Sequence, residues 1–118
     1  MAHYILVLLD DKRMEQIKGS SIEEKVKHMF GGELKCLEVE VPEEISQKIL
    51  KTFDTARIDA RGAITDLPVA FMREFFNQIA ERKSIGSDAL EGVLAKADQI
   101  KELAAKESEY LPPPDIEI

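Results

Sequence analysis

Acidic residues lie at two places where their carboxylates could bind a divalent cation. Asp10 and Asp11 directly follow the apolar run of residues 4–9. Three more acids lie in the segment F-D-T-A-R-I-D-A-R-G-A-I-T-D, at Asp54, Asp59 and Asp66. Carboxylate oxygens are the ligands that Mg²⁺ and Ca²⁺ prefer in proteins. One hypothesis is therefore a small-ligand or Mg/Ca-dependent enzyme or binding domain that uses Asp10, Asp11 and these loop acids.

The segment at residues 53–66 resembles an EF-hand calcium loop in the order of its residue types. With Gly62 at the sixth loop position, however, Arg57 and Arg61 fall at the first and fifth positions, where the motif needs oxygen ligands. Pro68 falls at the twelfth position, which the bidentate glutamate should occupy. The segment is therefore predicted to be a mixed-charge connection between two helices, in which Gly62 makes a turn.

The charges of this connection alternate in sign. Arg57, Asp59 and Arg61 are predicted either to form ion pairs at the surface or to face a partner. Thr65 or Asp66 is expected to cap the helix that follows, because both side chains can accept a hydrogen bond from the first turn of a helix.

Asp10 and Asp11 resemble the acids that follow the first strand in receiver domains, which bind magnesium beside a phosphorylated aspartate. The resemblance covers residues 5–11, and α/β sheets do bind ligands at the carboxyl ends of their strands. No third apolar strand that ends in an aspartate follows in this chain. The pair is therefore interpreted as an acidic cluster whose members are solvated and end a strand.

The only cysteine is Cys36, and the only histidines are His3 and His28. A Cys–His pair would need these residues to meet in space, whereas a buried structural cysteine needs only packing. The chain contains no G-x-S-x-G motif, no Walker loop and no G-x-G-x-x-G motif. No catalytic residue, metal ligand or cofactor is predicted, and the sequence favours a protein that is not an enzyme.

The composition is that of a globular protein with one domain, because 118 residues with 44% hydrophobic content can build a single core. A net charge of −7 argues against a nucleic-acid partner and suits a basic protein partner. The apolar run at residues 4–9 is too short to span a membrane. A single cysteine suits a reducing compartment, so a cytoplasmic location is predicted.

Hydrophobic periodicity predicts an α+β fold: a helix-rich single domain with a β-α-β start and a small sheet, followed by three helices that include a C-terminal helical hairpin. A first strand, at residues 3–9, is expected to be covered on both faces. A short helical turn near 14–17 and a helix at 20–30 follow. A second strand at 33–41 is expected at a sheet edge, parallel to the first if the usual crossover joins them.

The remaining residues of the domain are predicted to be largely helical. Pro42 starts one helix, a second follows Asp66, and a long helix extends from Ser87 to Tyr110. The compact domain spans residues 1–111, and residues 112–118 form an extended proline-rich tail. Because a two-stranded sheet is small, either a third strand is hidden elsewhere in the chain or a second copy completes the sheet. A homodimer is predicted for this reason.

The favoured function is a non-enzymatic protein-binding module that is regulatory or inhibitory, such as an acidic inhibitor of a basic nuclease or toxin. Two elements suit a partner besides the connection at residues 53–66. The last helix has apolar residues at heptad-like spacing, although simple packing on the preceding helix is the favoured explanation for them. In the tail, Ile116 and Ile118 alternate with acids, which suits a segment that adds as a strand to the edge of a partner's sheet. The alternative is a frayed terminus without a partner. The candidate partner-binding residues are Arg57, Asp59, Arg61, Ile116 and Ile118.

Overall fold

A computed structural model describes residues 3–110 of the chain, with side chains to residue 106. The chain is an α+β single domain, as predicted. Its strands are β1 (His3–Leu9), β2 (Lys27–Met29), β3 (Leu34–Val41), β4 (Arg57–Ile58) and β5 (Ile64–Thr65). Its helices are α1 (Asp11–Ile17), α2 (Glu43–Thr52), α3 (Val69–Arg82), α4 (Ser87–Ala95) and α5 (Ala97–Tyr110). Among the described residues, no helix has both the length and the apolar character needed to cross a bilayer.

The main sheet has the order β1-β3-β2 and is antiparallel throughout. The predicted parallel crossover is therefore wrong. The strands β1 and β3 pair without interruption from His3 opposite Val41 to Leu9 opposite Lys35, so β3 has no bulge against β1. The short strand β2 pairs with the first three residues of β3 only. β3 is therefore the central strand, and the edge position expected for it is wrong, although residues 37–41 have β1 as their one strand partner within residues 3–110.

The helix predicted at residues 20–30 is also wrong, and this segment supplies the third strand. A short 3-10 turn, Glu23–Lys25, precedes β2, and three successive residues with left-handed backbone then reverse the chain into β3. These are Phe30 (φ 51°), Gly31 (φ 77°) and Gly32 (φ 91°). Glycine adopts this conformation without steric cost, so the Gly-Gly pair makes a hairpin rather than a helix end. Ser20, where that helix was expected to begin, accepts from the Ile22 backbone N–H (3.3 Å) in a local turn.

The sheet has an inner face that builds the core and an outer face that meets solvent. Val7 lies opposite Leu37, and Ile5 lies opposite Val39; all four side chains are buried. The alternate residues of β1 point outward, and Leu8 among them is 50% exposed. The expectation that β1 is covered on both faces is therefore wrong. A continuous apolar run is compatible with either burial pattern, because periodicity cannot distinguish them.

The helices start and end close to the predicted positions, with two corrections. Helix α2 follows Pro42, as expected. Helix α3 begins after Pro68 without a side-chain cap, so neither Thr65 nor Asp66 caps it. The long last helix is broken at Lys96, whose backbone N–H donates to the Val93 carbonyl at 2.9 Å in a tight turn. The helical hairpin is retained, because both α4 and α5 pack on α3.

The core is centred on α3. Phe71, Phe75 and Phe76 are buried there, and Phe71 meets Phe53 edge to face with ring centroids 5.2 Å apart. Phe53 is the residue that ends α2, so this aromatic pair joins two helices. The buried inner face of the sheet belongs to the same cluster of apolar side chains.

Substituting Lys83 with glycine is expected to stabilise the protein. Lys83 ends α3 with a left-handed backbone (φ 56°), which disfavours every residue with a Cβ. Relief of that strain, less the extra chain entropy of glycine in the unfolded state, should raise the free energy of unfolding by about 0.5–1 kcal/mol. Urea denaturation followed by circular dichroism measures this free energy of unfolding. Lys101→Gly, inside α5, should instead lower the free energy of unfolding by about 1 kcal/mol. Destabilisation by Lys83→Gly would contradict this account.

Candidate functional site

The segment predicted as a helix–helix connection is a β-hairpin. Strands β4 and β5 pair with Arg57 opposite Thr65 and Ile58 opposite Ile64. Gly62 makes the turn between them, as predicted, with a left-handed φ of 94°. The sequence signal for these strands is short, because each contains only two residues.

Asp59 organises this turn through its side chain. Its Oδ1 accepts hydrogen bonds from the backbone N–H groups of Arg61 (2.8 Å) and Ala63 (2.9 Å). The bond from Ala63 is the main reason why the pKa of the Asp59 carboxyl lies below its ordinary value; desolvation opposes it, and the bond from Arg61 acts in the same direction as that from Ala63. A carboxylate engaged in this way holds the hairpin in shape.

The other charged residues of the hairpin are exposed. The Arg57 Nε lies 3.2 Å from the Asp66 Oδ2, with both side chains mostly exposed, so this pair contributes little to stability. The Asp66 carbonyl also accepts from the Thr55 hydroxyl at 2.7 Å. The surface ion pair anticipated from the sequence is thus present between Arg57 and Asp66. Arg61 is exposed at the rim of a cleft between this hairpin and β1.

That cleft, of about 320 Å³, lies along the free edge of β1. The Tyr4 N–H donates to the Gly62 carbonyl at 3.1 Å, which ties the hairpin to the beginning of β1. Near the other end, the Leu8 carbonyl accepts from the Arg13 Nη1 at 3.1 Å. Side-chain and hairpin contacts of this kind protect a sheet edge from pairing with another chain. A partner therefore has little access to the β1 edge and more to the outer face of the sheet.

An apolar patch covers one end of this outer face. Leu8 lies opposite Cys36, and Leu34 lies opposite Met29, so the three strands contribute to one surface. Leu8 is 50% exposed, and Leu34 and Met29 are partly exposed. The side chain of Phe30, at the tip of the β2–β3 hairpin beside this patch, is 76% exposed. The patch and this phenylalanine form the apolar end of the outer face, where large apolar side chains meet water.

The other end of the outer face is acidic. Glu38 and Glu40 on β3 are exposed, and they lie opposite Leu6 and Tyr4 respectively. The Lys27 Nζ lies 3.2 Å from the Glu38 Oε2 and partly offsets this charge. The outer face therefore combines an apolar end with an end of net negative charge.

Cys36 lies under the apolar end and is fully buried, as predicted. Its thiol donates to the Met29 sulfur at 3.3 Å. Burial raises the pKa of the Cys36 thiol, and the Glu38 carboxylate raises it further, while Lys27 acts in the opposite direction. His3 does not pair with the Cys36 thiol, because its Nδ1 lies 2.9 Å from the hydroxyl of Ser46 on α2. A thiol held protonated in this way is a poor nucleophile.

The acidic cluster at the end of β1 has a structural role. The Asp10 Oδ1 accepts from the Arg13 backbone N–H at 2.8 Å and so caps α1, and Asp11 lies in the first turn of that helix. Within residues 3–106, no group of three or more His, Cys, Asp and Glu side chains is arranged to hold a metal ion. The two remaining candidates, Ile116 and Ile118, lie outside the described residues.

Acidification is expected to loosen the hairpin turn through Asp59. Because the folded pKa is depressed, the carboxylate supports the turn above the ordinary aspartate pKa of about 4, and the support is lost as the pH falls through the lower folded pKa. The amide proton shifts of Arg61 and Ala63 should therefore titrate together below pH 4 by NMR. In Asp59→Asn this titration should disappear. Its persistence in that variant would contradict the assignment.

Comparison with known proteins yields one finding. The model of a family described as a family of unknown function (DUF6955) matches residues 3–94. This range contains the outer face and the hairpin and ends within α4. No curated protein and no solved structure matches the chain.

Proposed function

The chain belongs to DUF6955, a family of unknown function, and we propose that it is a non-enzymatic protein-binding module with a regulatory or inhibitory role. Its binding surface is the outer face of the main sheet. The observation that carries this proposal is the exposure of Leu8 and Phe30 beside Leu34 and Met29. Every residue of this surface lies within the range that the family model matches.

The apolar end of the outer face supplies the binding energy in this proposal. Removing one large apolar side chain from water contributes about 1.5–3 kcal/mol. Half or more of each of the Leu8 and Phe30 side chains is exposed in the isolated chain. Burial of these side chains against a partner can therefore still contribute a large part of this free energy. Central apolar anchors surrounded by a polar rim are typical of the residues that dominate binding energy at protein interfaces.

The acidic end of the same face selects the partner. Glu38 and Glu40 are exposed there, and the chain carries a net charge of −7. Such a surface attracts a basic protein and accelerates its association, whereas it repels acidic proteins and phosphate backbones. A basic enzyme that is held inactive by this module is the inhibitory version of the proposal.

The two other recognition elements are less favoured. Helix α5 carries Leu103, which is 45% exposed, but its neighbours in the apolar stripe pack on α3. A homodimer was predicted because the sheet needed a third strand, and β2 supplies that strand from within the chain. The homodimer therefore stays a prediction with less support than a basic partner.

A photo-crosslinking amino acid at position 8 tests the proposal, with the same substitution at position 103 as the matched control. Both positions hold leucines of similar exposure, 50% and 45%, on different surfaces. In native lysate, the chain with the crosslinker at position 8 should form one dominant adduct with a basic protein. The yield of this adduct should fall as the salt concentration is raised. Position 103 should not give this adduct.

Three outcomes would contradict the proposal. The first is equal adducts from both positions, which would mean non-specific contact. The second is an adduct of twice the chain mass, which would make a second copy the occupant of the outer face. The third is an adduct from position 103 alone, which would move the interface to α5.

A further inference from the structure

A cavity of about 370 Å³ lies between α1 and α3, away from the outer face. Lys12 and Arg13 reach it from α1, and Arg73 reaches it from α3. The one carboxylate in its lining is that of Asp10. Three cations and one anion thus converge on one cavity of a protein whose net charge is −7. Such a local excess of positive charge is the opposite of what the composition predicts.

Existing contacts hold Arg13, one of the three cationic groups of this cavity, in place. The Arg13 guanidinium lies 5.4 Å from the ring centroid of Phe76, and its Nη1 donates to the Leu8 carbonyl. The Asp10 carboxylate, in turn, accepts from the Arg13 backbone N–H. A guanidinium group fixed in this way loses little entropy when it binds a ligand, so that of Arg13 is suited to an oxyanion. The carboxylate that would repel an anion is already engaged in capping α1.

The remaining lining supplies neutral hydrogen-bonding groups and an apolar floor. Gln16 and Asn77 contribute amide side chains, and the buried Phe76 contributes its ring. Sites for small molecules combine an apolar surface with a few polar groups that fix orientation, in volumes of roughly 300–1,000 Å³. This cavity lies at the small end of that range.

We propose that the cavity between α1 and α3 binds a small polyanionic metabolite, through its phosphate or carboxylate oxygens. Lys12, Arg13 and Arg73 neutralise the oxyanion, and the amides of Gln16 and Asn77 orient the rest of the molecule. The inference is independent of the proposed protein-binding function, because none of these side chains belongs to the outer face. It also reassigns the Asp10 region: the groups around this acid favour an anion rather than a metal ion.

NMR titration of the full chain tests this site with two probes, inorganic phosphate and citrate, at constant ionic strength. At least one probe should produce saturable shifts in the amides of α1 and of residues 73–77. The double substitution K12Q/R73Q should weaken binding by about tenfold or more, because two charge-assisted contacts are lost. A preference for phosphate or for citrate identifies the kind of oxyanion.

The matched control is Lys83→Gln, because Lys83 lines a neighbouring cavity that shares Gln16 and Asn77 with this one. This variant should change the affinity less than twofold. Linear shifts of the same size in all three proteins would mean general screening and would overturn the proposal. Absence of saturable shifts with both probes, or an equal loss in Lys83→Gln, would overturn it too. Amide spectra of the double variant without ligand establish that it is folded.

Discussion

Replacing Leu8 with asparagine is expected to weaken the complex with the basic partner by at least about 30-fold, which corresponds to about 2 kcal/mol. The substitution removes an apolar anchor and places in the interface an amide whose burial costs free energy unless it is hydrogen-bonded. It leaves the net charge unchanged, so the salt dependence of binding should stay the same. The free energy of unfolding should change by less than about 1 kcal/mol, because Leu8 is 50% exposed. Calorimetric titration with the partner that crosslinking identified measures the affinity.

The matched variant is Leu103→Asn, which makes the same chemical change on α5. It should bind the partner within about twofold of the original chain, because positions far from the interface contribute little. If Leu103→Asn weakened binding as much as Leu8→Asn, the apolar end of the outer face would not be the site of contact. Glu38→Gln should act differently from both variants, mainly by slowing association and reducing its dependence on salt.

Replacing Phe71 with alanine is expected to lower the free energy of unfolding by about 3–5 kcal/mol. Phe71 is fully buried on α3 and packs edge to face on Phe53 at the end of α2. Its removal opens a cavity and separates two helices that this contact joins. A domain of this size has only about 5–15 kcal/mol of stability in total, so the variant should be close to unfolding at physiological temperature. Urea denaturation followed by circular dichroism gives the value.

Phe30→Ala is the control for the same chemical change at an exposed site. Phe30 is 76% exposed at the hairpin tip, so the free energy of unfolding should change by no more than about 0.5 kcal/mol. The same variant should weaken partner binding, whereas Phe71→Ala should impair binding only through loss of the folded state. Similar destabilisation by both substitutions would mean that the hairpin tip is packed rather than exposed.

The sequence predicted elements well where a local signal agreed with the tertiary packing. Pro42 followed by two acids predicted the start of α2. The apolar periodicity of α3 predicted only part of its buried side: Phe75, Phe76 and Ile79 are buried, but Val69 is 67% exposed and the buried Phe71 was missed. The error at residues 20–30 has a physical cause. Ile22, Val26 and Met29 have helical spacing, but the left-handed backbone from Phe30 to Gly32 favours a hairpin with β3. Pairing of β2 with the following strand β3 overrode the helical periodicity, and the spacing of the apolar residues does not by itself reveal that pairing.

The candidate site was predicted less completely than the fold. Asp59 and Arg57 were identified by their alternating charge, and the structure shows one as the organiser of a turn and the other in a surface ion pair. The exposed Leu8 was missed, because a run of apolar residues does not reveal which of its members meet solvent. Phe30 had a weak signal: a large aromatic residue beside two glycines is favourable in a tip and unfavourable in a helix.

The most direct test of the outer face as the binding surface is the alkylation rate of Cys36. It is the only cysteine of the chain, it is buried beside Leu8 and Met29, and this burial together with the raised pKa of the thiol makes the free reaction slow at neutral pH. Adding the basic partner should slow alkylation further in the original chain, in proportion to the fraction bound, and should have little effect in Leu8→Asn at the same concentration. An unchanged alkylation rate in a chain that is saturated with the partner would contradict the account, because the partner would then lie elsewhere.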